Sequence, residues 1–121
     1  MARILIIDDD DLTQSMLKIA LVQQGHDVFQ AFDGLQGIAL LREEKFDMII
    51  TDIWMPESDG LEVIKKVQQE FPHTKILAIS GGSNKYPGLE ALPVARALGA
   101  KKFLRKPFGE QELLEAIEAI A

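Results

Sequence analysis

The sequence predicts an α/β fold, a doubly wound parallel sheet of five strands with helices on both faces. Short apolar segments alternate along the whole chain with longer segments in which apolar residues recur at helical spacing. Several of the apolar segments are nearly continuous runs, as expected for strands that are buried on both faces. Right-handed crossovers between parallel strands then favour the strand order 2-1-3-4-5.

The predicted elements follow one another in strict alternation. Strands are predicted at Arg3–Ile7, Asp27–Ala31, Met48–Thr51, Lys75–Ile79 and Lys101–Leu104, and the first, third and fourth are the most apolar. Helices are predicted near residues 11–24, 34–43, 58–70, 88–98 and 109–120. Gly25 and Gly99 stand where the first and fourth helices should end, a position that favours a left-handed residue. Asp33-Gly34 is a turn into the second helix, and Pro72 closes the third.

The composition narrows the class of protein. A chain of 121 residues predicts one domain, residues 1–121, and 47% apolar with 26% charged residues is typical of a soluble globular protein. The net charge of -6 argues against direct DNA binding, because phosphate recognition needs a basic surface. The absence of cysteine excludes disulfides and zinc–thiolate sites. Since the sequence contains neither a membrane-spanning run nor a signal segment, we expect a cytoplasmic protein without membrane contact.

Four strand ends carry polar residues that could act together. The run Asp8–Asp11 follows the first strand, Asp52 the third, Ser80 the fourth and Lys106 the fifth. In a doubly wound sheet the working crevice lies at the carboxyl ends of the strands, between the first and the third. We expect Asp8 and Asp9 to face this crevice with Asp52. Carboxylate oxygens suit a hard cation such as magnesium.

Each of these residues also has an ordinary explanation. The acidic run could cap the first helix without any ion, with Asp10 or Asp11 as the N-cap residue. Asp52 could cap the next helix, Ser80 could be a turn serine and Lys106 a solvated lysine. The joint arrival of all four at one sheet edge is what favours a shared site.

These motifs together resemble the receiver domain of response regulators, of the single-domain, chemotaxis-regulator-like kind. The resemblance covers essentially the whole chain, and the strand order given above rests partly on it. It implies a flavodoxin-like fold and a role in two-component signalling. The motifs are Ile4-Leu5-Ile6-Ile7-Asp8-Asp9, Asp52-Ile53-Trp54-Met55-Pro56 with Asp59-Gly60, Ala78-Ile79-Ser80, Gly99-Ala100 and Phe103-Leu104-Arg105-Lys106-Pro107-Phe108.

The resemblance implies that Asp52 accepts a phosphoryl group from a phosphohistidine. The donor would be a sensor histidine kinase or a histidine phosphotransfer protein. Asp8, Asp9, Asp52 and the backbone carbonyl of Trp54 would hold magnesium, with manganese as an alternative. Lys106 would pair with the phosphoryl group. The protein would be a phosphoacceptor with slow dephosphorylation and not a turnover enzyme.

The resemblance also implies a conformational switch. Ser80 would move towards the phosphoryl group and Phe103 would turn inward, changing the surface formed by the fourth helix, fifth strand and fifth helix. Phe103 could instead be a core aromatic. The segment between Ser80 and Gly99 is a few residues longer than is usual for the family, and its part 81–93 carries three glycines and two prolines, which leaves the start of the fourth helix open.

The first helix carries two apolar stripes, of which only one can face the sheet fully. Leu17, Leu21 and Gln24 form one stripe. The other consists of Leu12, Ser15, Ile19 and Val22, and we predict that it meets a helix pair of the kinase or phosphotransfer partner. The alternative is that neighbouring helices shield both stripes.

Three other classes fit less well. A haloacid-dehalogenase type of enzyme also uses an aspartate and magnesium, but Leu12 stands where its signature has Thr or Val, and there is no room for a cap domain. A nucleotide- or flavin-binding module needs a glycine-rich first turn, which here is acidic. A degenerate interaction domain would lack site residues that are all present. The sequence leaves open whether the chain acts alone or belongs to a longer protein, and it identifies neither kinase nor target.

Overall fold

The structure of the protein is a computed structural model, which describes residues 2–55, 58–80 and 99–120. Within these residues, five parallel strands form one sheet: β1 (Arg3–Ile7), β2 (Asp27–Ala31), β3 (Met48–Asp52), β6 (Lys75–Ser80) and β7 (Lys102–Arg105). Their order in the sheet is β2-β1-β3-β6-β7. Because β6 and β7 are the fourth and fifth strands of this sheet along the chain, this is the predicted order 2-1-3-4-5, and the predicted fold class is confirmed.

A second, two-stranded sheet follows β3. It pairs β4 (Trp54–Met55) with β5 (Ser58–Asp59) in antiparallel fashion. These residues were expected to lie partly in the third helix, which was predicted from residue 58 but begins at Gly60. The predicted helix near 88–98 and the segment 81–93 lie outside the described residues.

Four helices occur in the described part of the chain: α1 (Asp11–Gln23), α2 (Gly34–Glu43), α3 (Gly60–Glu70) and α4 (Glu110–Ile120). Asp10 caps α1 and Asp33 caps α2, each with its carboxylate accepting a hydrogen bond from a backbone N–H of the first turn. Gly25, just past α1, has φ +88°, the left-handed conformation expected there. None of the described helices is long and apolar enough to cross a membrane.

The central strands of the sheet are buried on both faces, and alternate residues of β1 show it. Leu5 and Ile7 point to a core shared with α2 and α3, whereas Ile4 and Ile6 point to a core shared with α1 and α4. All four side chains are fully buried. The nearly continuous apolar composition of β1 follows from this double burial, whereas the edge strands β2 and β7 are partly exposed.

The register of the sheet places the polar strand ends side by side. Ile7 of β1 is opposite Thr51 of β3, so Asp8 and Asp52 each come one residue later on neighbouring strands. Ser80 of β6 is opposite Arg105 of β7, directly before Lys106. The carboxyl edge of the sheet therefore brings these residues to one end of the molecule.

Candidate functional site

Three carboxylates cluster at the carboxyl edge of the sheet. Asp8 and Asp52 are buried, with 0% and 4% of their surface exposed, and Asp9 is exposed beside them. One oxygen from each lies within 4.8 Å of the others. Both Asp8 and Asp9 thus share a cluster with Asp52, although Asp9 does so from the solvent side.

Lys106 supplies the positive charge that faces this cluster. It follows β7, and its Nζ lies 3.1 Å from Asp8 Oδ2 and 3.3 Å from Asp52 Oδ2. The ammonium therefore bridges the ends of β1 and β3, although it is distant from both in sequence. Its side chain is only 22% exposed, which is low for a lysine and speaks against the solvated surface lysine considered from the sequence.

The pKa values in the site reflect burial and mutual charge. Burial raises the pKa of the Asp8 carboxyl group to about 6, and the charge of Asp52 acts in the same direction. A hydrogen bond from the backbone of Asp10 and the ammonium of Lys106 oppose this rise. Burial alone would lower the pKa of Lys106, but the charges of Asp52 and Asp8 outweigh it and raise the pKa. The ammonium is therefore held in its charged form by the two carboxylates.

The loop between β1 and α1 is fixed by side-chain hydrogen bonds. Asp8 Oδ1 accepts from the backbone N–H of Asp10 at 2.8 Å. Asp10 Oδ2 in turn accepts from the backbone N–H of Thr13 at 3.1 Å and from the Thr13 hydroxyl, and these bonds hold the pKa of Asp10 below its usual range. Of the two capping candidates, Asp10 is the N-cap residue and Asp11 is the first residue of the helix.

Sequence reasoning missed Gln14, a buried residue of α1 next to the site. Its amide nitrogen Nε2 lies within hydrogen-bonding distance of three backbone carbonyl oxygens, of Ala31, Asp8 and Ile6. A signal was present in the sequence, because Gln14 is three residues before Leu17 and seven before Leu21, both fully buried. A polar residue on the buried stripe of an amphipathic helix indicates a buried hydrogen bond.

The donor set of the cluster fits a hard divalent cation. It offers carboxylate oxygens only, which suit magnesium or manganese better than softer metals. Trp54 lies on β4, two residues past Asp52, and its carbonyl as a further ligand stays a prediction.

Two other predicted site residues lie at the ends of β6 and β7. The backbone of Ser80 ends β6, and its side chain lies outside the described part of the structure. Phe103 lies on β7, three residues before Lys106, and is 38% exposed. The alternative of a plain core aromatic at Phe103 is therefore wrong, and the ring is turned outward.

The two stripes of α1 are clearly separated in the structure. Leu17 and Leu21 are fully buried, whereas Leu12 and Ile19 are 78% and 60% exposed. Ser15 and Val22 of the same second stripe are exposed as well. The alternative that neighbouring helices shield both stripes is wrong. A groove of about 340 Å³ lies beside the stripe, between α1 and the start of α4.

Proteins of one family match this chain over nearly its whole length. The response regulator receiver domain family matches residues 4–118. The transcriptional regulatory protein CpxR of Klebsiella pneumoniae is 36% identical over 122 aligned positions, which cover 99% of this chain and 49% of CpxR. This chain thus spans about half the length of that relative.

Solved structures of the same kind share the fold. The chemotaxis protein CheY4 of Vibrio cholerae has a TM-score of 0.89 at 30% identity, covering 100% of this chain and 99% of CheY4. A CheY-like receiver domain protein of Methanospirillum hungatei has a TM-score of 0.90 at 30% identity, covering 99% of this chain and 93% of that one.

Proposed function

The chain belongs to the response regulator receiver domain family, and from this premise we propose that it accepts a phosphoryl group on Asp52 and passes on the signal by a change of shape. The single observation that supports this most directly is the ammonium of Lys106 between Asp8 and Asp52, at 3.1 and 3.3 Å. A buried acid held beside a cation and two further carboxylates is suited to phosphoryl transfer.

In the proposed reaction, an oxygen of the Asp52 carboxylate attacks the phosphorus of a phosphohistidine. The new O–P bond forms as the P–N bond breaks, and the histidine nitrogen leaves and takes up a proton. Lys106 neutralises charge on the transferring oxygens, which is why its position beside Asp52 matters. Magnesium held by Asp8, Asp9 and Asp52 would offset the remaining negative charge.

The phosphoryl group would persist long enough to act as a signal. The proposed activity is one phosphorylation per chain followed by slow hydrolysis, and not turnover of a substrate. In the phosphorylated state, the Ser80 hydroxyl would hydrogen-bond a phosphoryl oxygen and Phe103 would turn inward. Phe103 is 38% exposed in this structure, so an inward turn would bury a ring that now contacts solvent. The change would alter the surface formed by the fourth predicted helix, β7 and α4.

The donor is proposed to be a sensor histidine kinase or a histidine phosphotransfer protein, meeting this chain in the cytoplasm. The exposed stripe of Leu12, Ser15, Ile19 and Val22 starts beside the acid cluster, so a helix pair packed there would bring its histidine close to Asp52. Ile19→Glu should weaken phosphotransfer from such a protein donor but leave phosphorylation by acetyl phosphate unchanged. Equal loss with both donors would contradict docking at this stripe.

The decisive experiment is the intact mass after incubation with acetyl phosphate, with and without magnesium. We expect one phosphoryl adduct that requires both the metal and Asp52, and therefore no adduct on Asp52→Asn. Asp33→Asn is the matched control, because it neutralises an aspartate outside the cluster and asparagine also caps a helix well. An adduct on Asp52→Asn equal to that of the wild type would refute Asp52 as the acceptor.

Turnover separates this proposal from the dehalogenase-type alternative. Repeated hydrolysis of a phosphomonoester such as p-nitrophenyl phosphate would favour an enzyme. A single adduct without continuing release of phosphate would favour the receiver function.

A further inference from the structure

Gln14 has an unusual balance of hydrogen bonds. The residue is 1% exposed, and its Nε2 lies 2.7 Å from Ala31 O, 3.0 Å from Asp8 O and 3.4 Å from Ile6 O. Its own Oε1 is buried and has no hydrogen-bond partner among the described residues. A buried acceptor without a hydrogen bond lowers the stability of a protein by about 1–3 kcal/mol. If Gln14 served only to fill space, an apolar side chain of similar length would therefore be more stable at this position. The donated bonds must therefore compensate for this cost.

These donated bonds join the ends of two neighbouring strands at the point where the acid run begins. The Asp8 backbone N–H donates to Ala31 O at 3.1 Å. The Gln14 amide donates to the same Ala31 carbonyl and to the carbonyl of Asp8. The main chain of Asp8 is thus held through its N–H and its C=O. A second glutamine supports the arrangement, since Gln30 Nε2 donates to the backbone carbonyl of Gln14 at 3.3 Å.

The main chain at Asp8 is also where restraint is needed. Asp8 and Asp52 are buried carboxylates that repel each other, and their separation can relax if the turn after β1 shifts. Lys106 offsets part of this repulsion, and a free turn would let the remainder move the two carboxylates apart in the absence of metal. Each binding event would then have to reverse that movement, which weakens affinity.

We propose that Gln14 is a positioning residue that holds the Asp8 main chain so that the three carboxylates are already in place for a divalent cation. The proposal rests on the function proposed above. Because its amide is neutral, Gln14 restrains Asp8 without adding a charge that would compete with the cation. A glutamate of the same size would lose both donors and bring a fourth carboxylate near the site.

The test is calorimetric titration of MgCl2 into metal-free protein. Gln14→Met keeps the length of the side chain and removes both hydrogen-bond donors. We expect its magnesium Kd to rise about tenfold, as is typical when a residue that holds a metal ligand in position by a hydrogen bond is replaced. At saturating magnesium, phosphorylation by acetyl phosphate should stay within about twofold of the wild type, since the occupied site restores the geometry.

Thr74→Val is the matched control for a purely structural effect. The Thr74 hydroxyl donates to Phe46 O at 3.2 Å, also in a buried position but at the opposite edge of the sheet. This variant should be less stable and should bind magnesium as the wild type does. Gln14→Asn is a second variant that keeps the polar group but withdraws it from the Asp8 carbonyl, and it should show an intermediate Kd.

The outcomes separate this inference from the function on which it rests. Gln14→Met and Gln14→Asn that bind magnesium within twofold of the wild type would overturn the role of Gln14 while leaving the proposed function standing. A wild-type protein that binds no magnesium would overturn the proposed metal site itself, and the role of Gln14 with it.

Discussion

Replacing Lys106 with methionine tests the electrostatics of the site directly. The change keeps most of the aliphatic stem and removes the ammonium that lies 3.1 Å from Asp8 and 3.3 Å from Asp52. At an effective dielectric constant of about 20, each attraction amounts to about 5 kcal/mol. The desolvation of the three groups, several kcal/mol per ion, cancels much of this sum.

The net loss can be bounded further. Removing one partner of a buried ion pair typically costs about 3–5 kcal/mol. The loss should be smaller here because Lys106 keeps some solvent contact and because Asp8, with a pKa of about 6, can take up a proton when the ammonium is gone. We therefore expect metal-free Lys106→Met to lose about 2–3 kcal/mol of unfolding free energy, a fall in Tm of roughly 10 °C for a domain of this size.

Urea unfolding in EDTA measures the stability lost without metal, and urea unfolding in saturating MgCl2 measures how much of it magnesium restores. Lys102→Met is the matched control, since Lys102 is exposed on β7, the strand that Lys106 follows, and has no ion pair among the described residues. A bound divalent cation should take over the charge that Lys106 supplied, so magnesium should stabilise Lys106→Met more than the wild type. If Lys106→Met is as stable as Lys102→Met in EDTA, the proposed charge balance is wrong.

Three further predictions concern the scaffold. Gly37→Ala should lose about 1–3 kcal/mol of unfolding free energy in urea, because the added Cβ would lie 2.5 Å from the Cδ1 of Ile7 within the core; equal stability would show that Ile7 can move aside. Asp10→Ala should lose about 1–2 kcal/mol in the same assay through the missing N-cap of α1, and Asp10→Asn should lose much less. Burial and the positive N-terminal amino group lower the pKa of His26 below 6.5, and its Nδ1 accepts a hydrogen bond from the Ala2 backbone N–H at 3.0 Å. Because the pKa of His26 is lower in the folded than in the unfolded chain, the stability that depends on neutral His26 is complete above about pH 6.5 and is lost as the pH falls through the folded pKa. Between pH 7 and 5, Tm should therefore fall more for the wild type than for His26→Gln. Parallel Tm curves for the two proteins would contradict this prediction.

The sequence was sufficient to predict the strands and most helix boundaries. β1 and β2 begin and end at the predicted residues. The double burial of β1 leaves a continuous apolar run that ends at Asp8, whereas β2 is only partly buried and its run is interrupted by Gln30. The same logic identified the polar strand ends as neighbours. The boundary of α3 was wrong because residues 58 and 59 pair with β4, and such short-range pairing leaves no periodic signal in the sequence.

The contacts within the site could not be predicted in the same way. Whether Asp10 or Asp11 caps α1 depends on the backbone conformation of the turn, which composition does not reveal. Gln14 was missed because its partners are carbonyl groups of the main chain on two strands. Every residue carries a backbone carbonyl, so only the three-dimensional structure shows which carbonyls accept a hydrogen bond from Gln14.

The charge of the site supports the proposed binding of a divalent cation beside Lys106. Three carboxylates and one ammonium leave a local charge of about -2, because three charges of -1 and one of +1 sum to that value and Asp8 is mostly ionised near neutral pH. Lys106 alone cannot balance the cluster, and a divalent cation would complete the balance. A cation at the proposed site would bind the folded chain and not the separated residues of the unfolded chain, so it would stabilise the fold by an amount set by its concentration relative to Kd. The gain in unfolding free energy on adding magnesium would therefore measure how well the proposed site is organised, independently of phosphorylation.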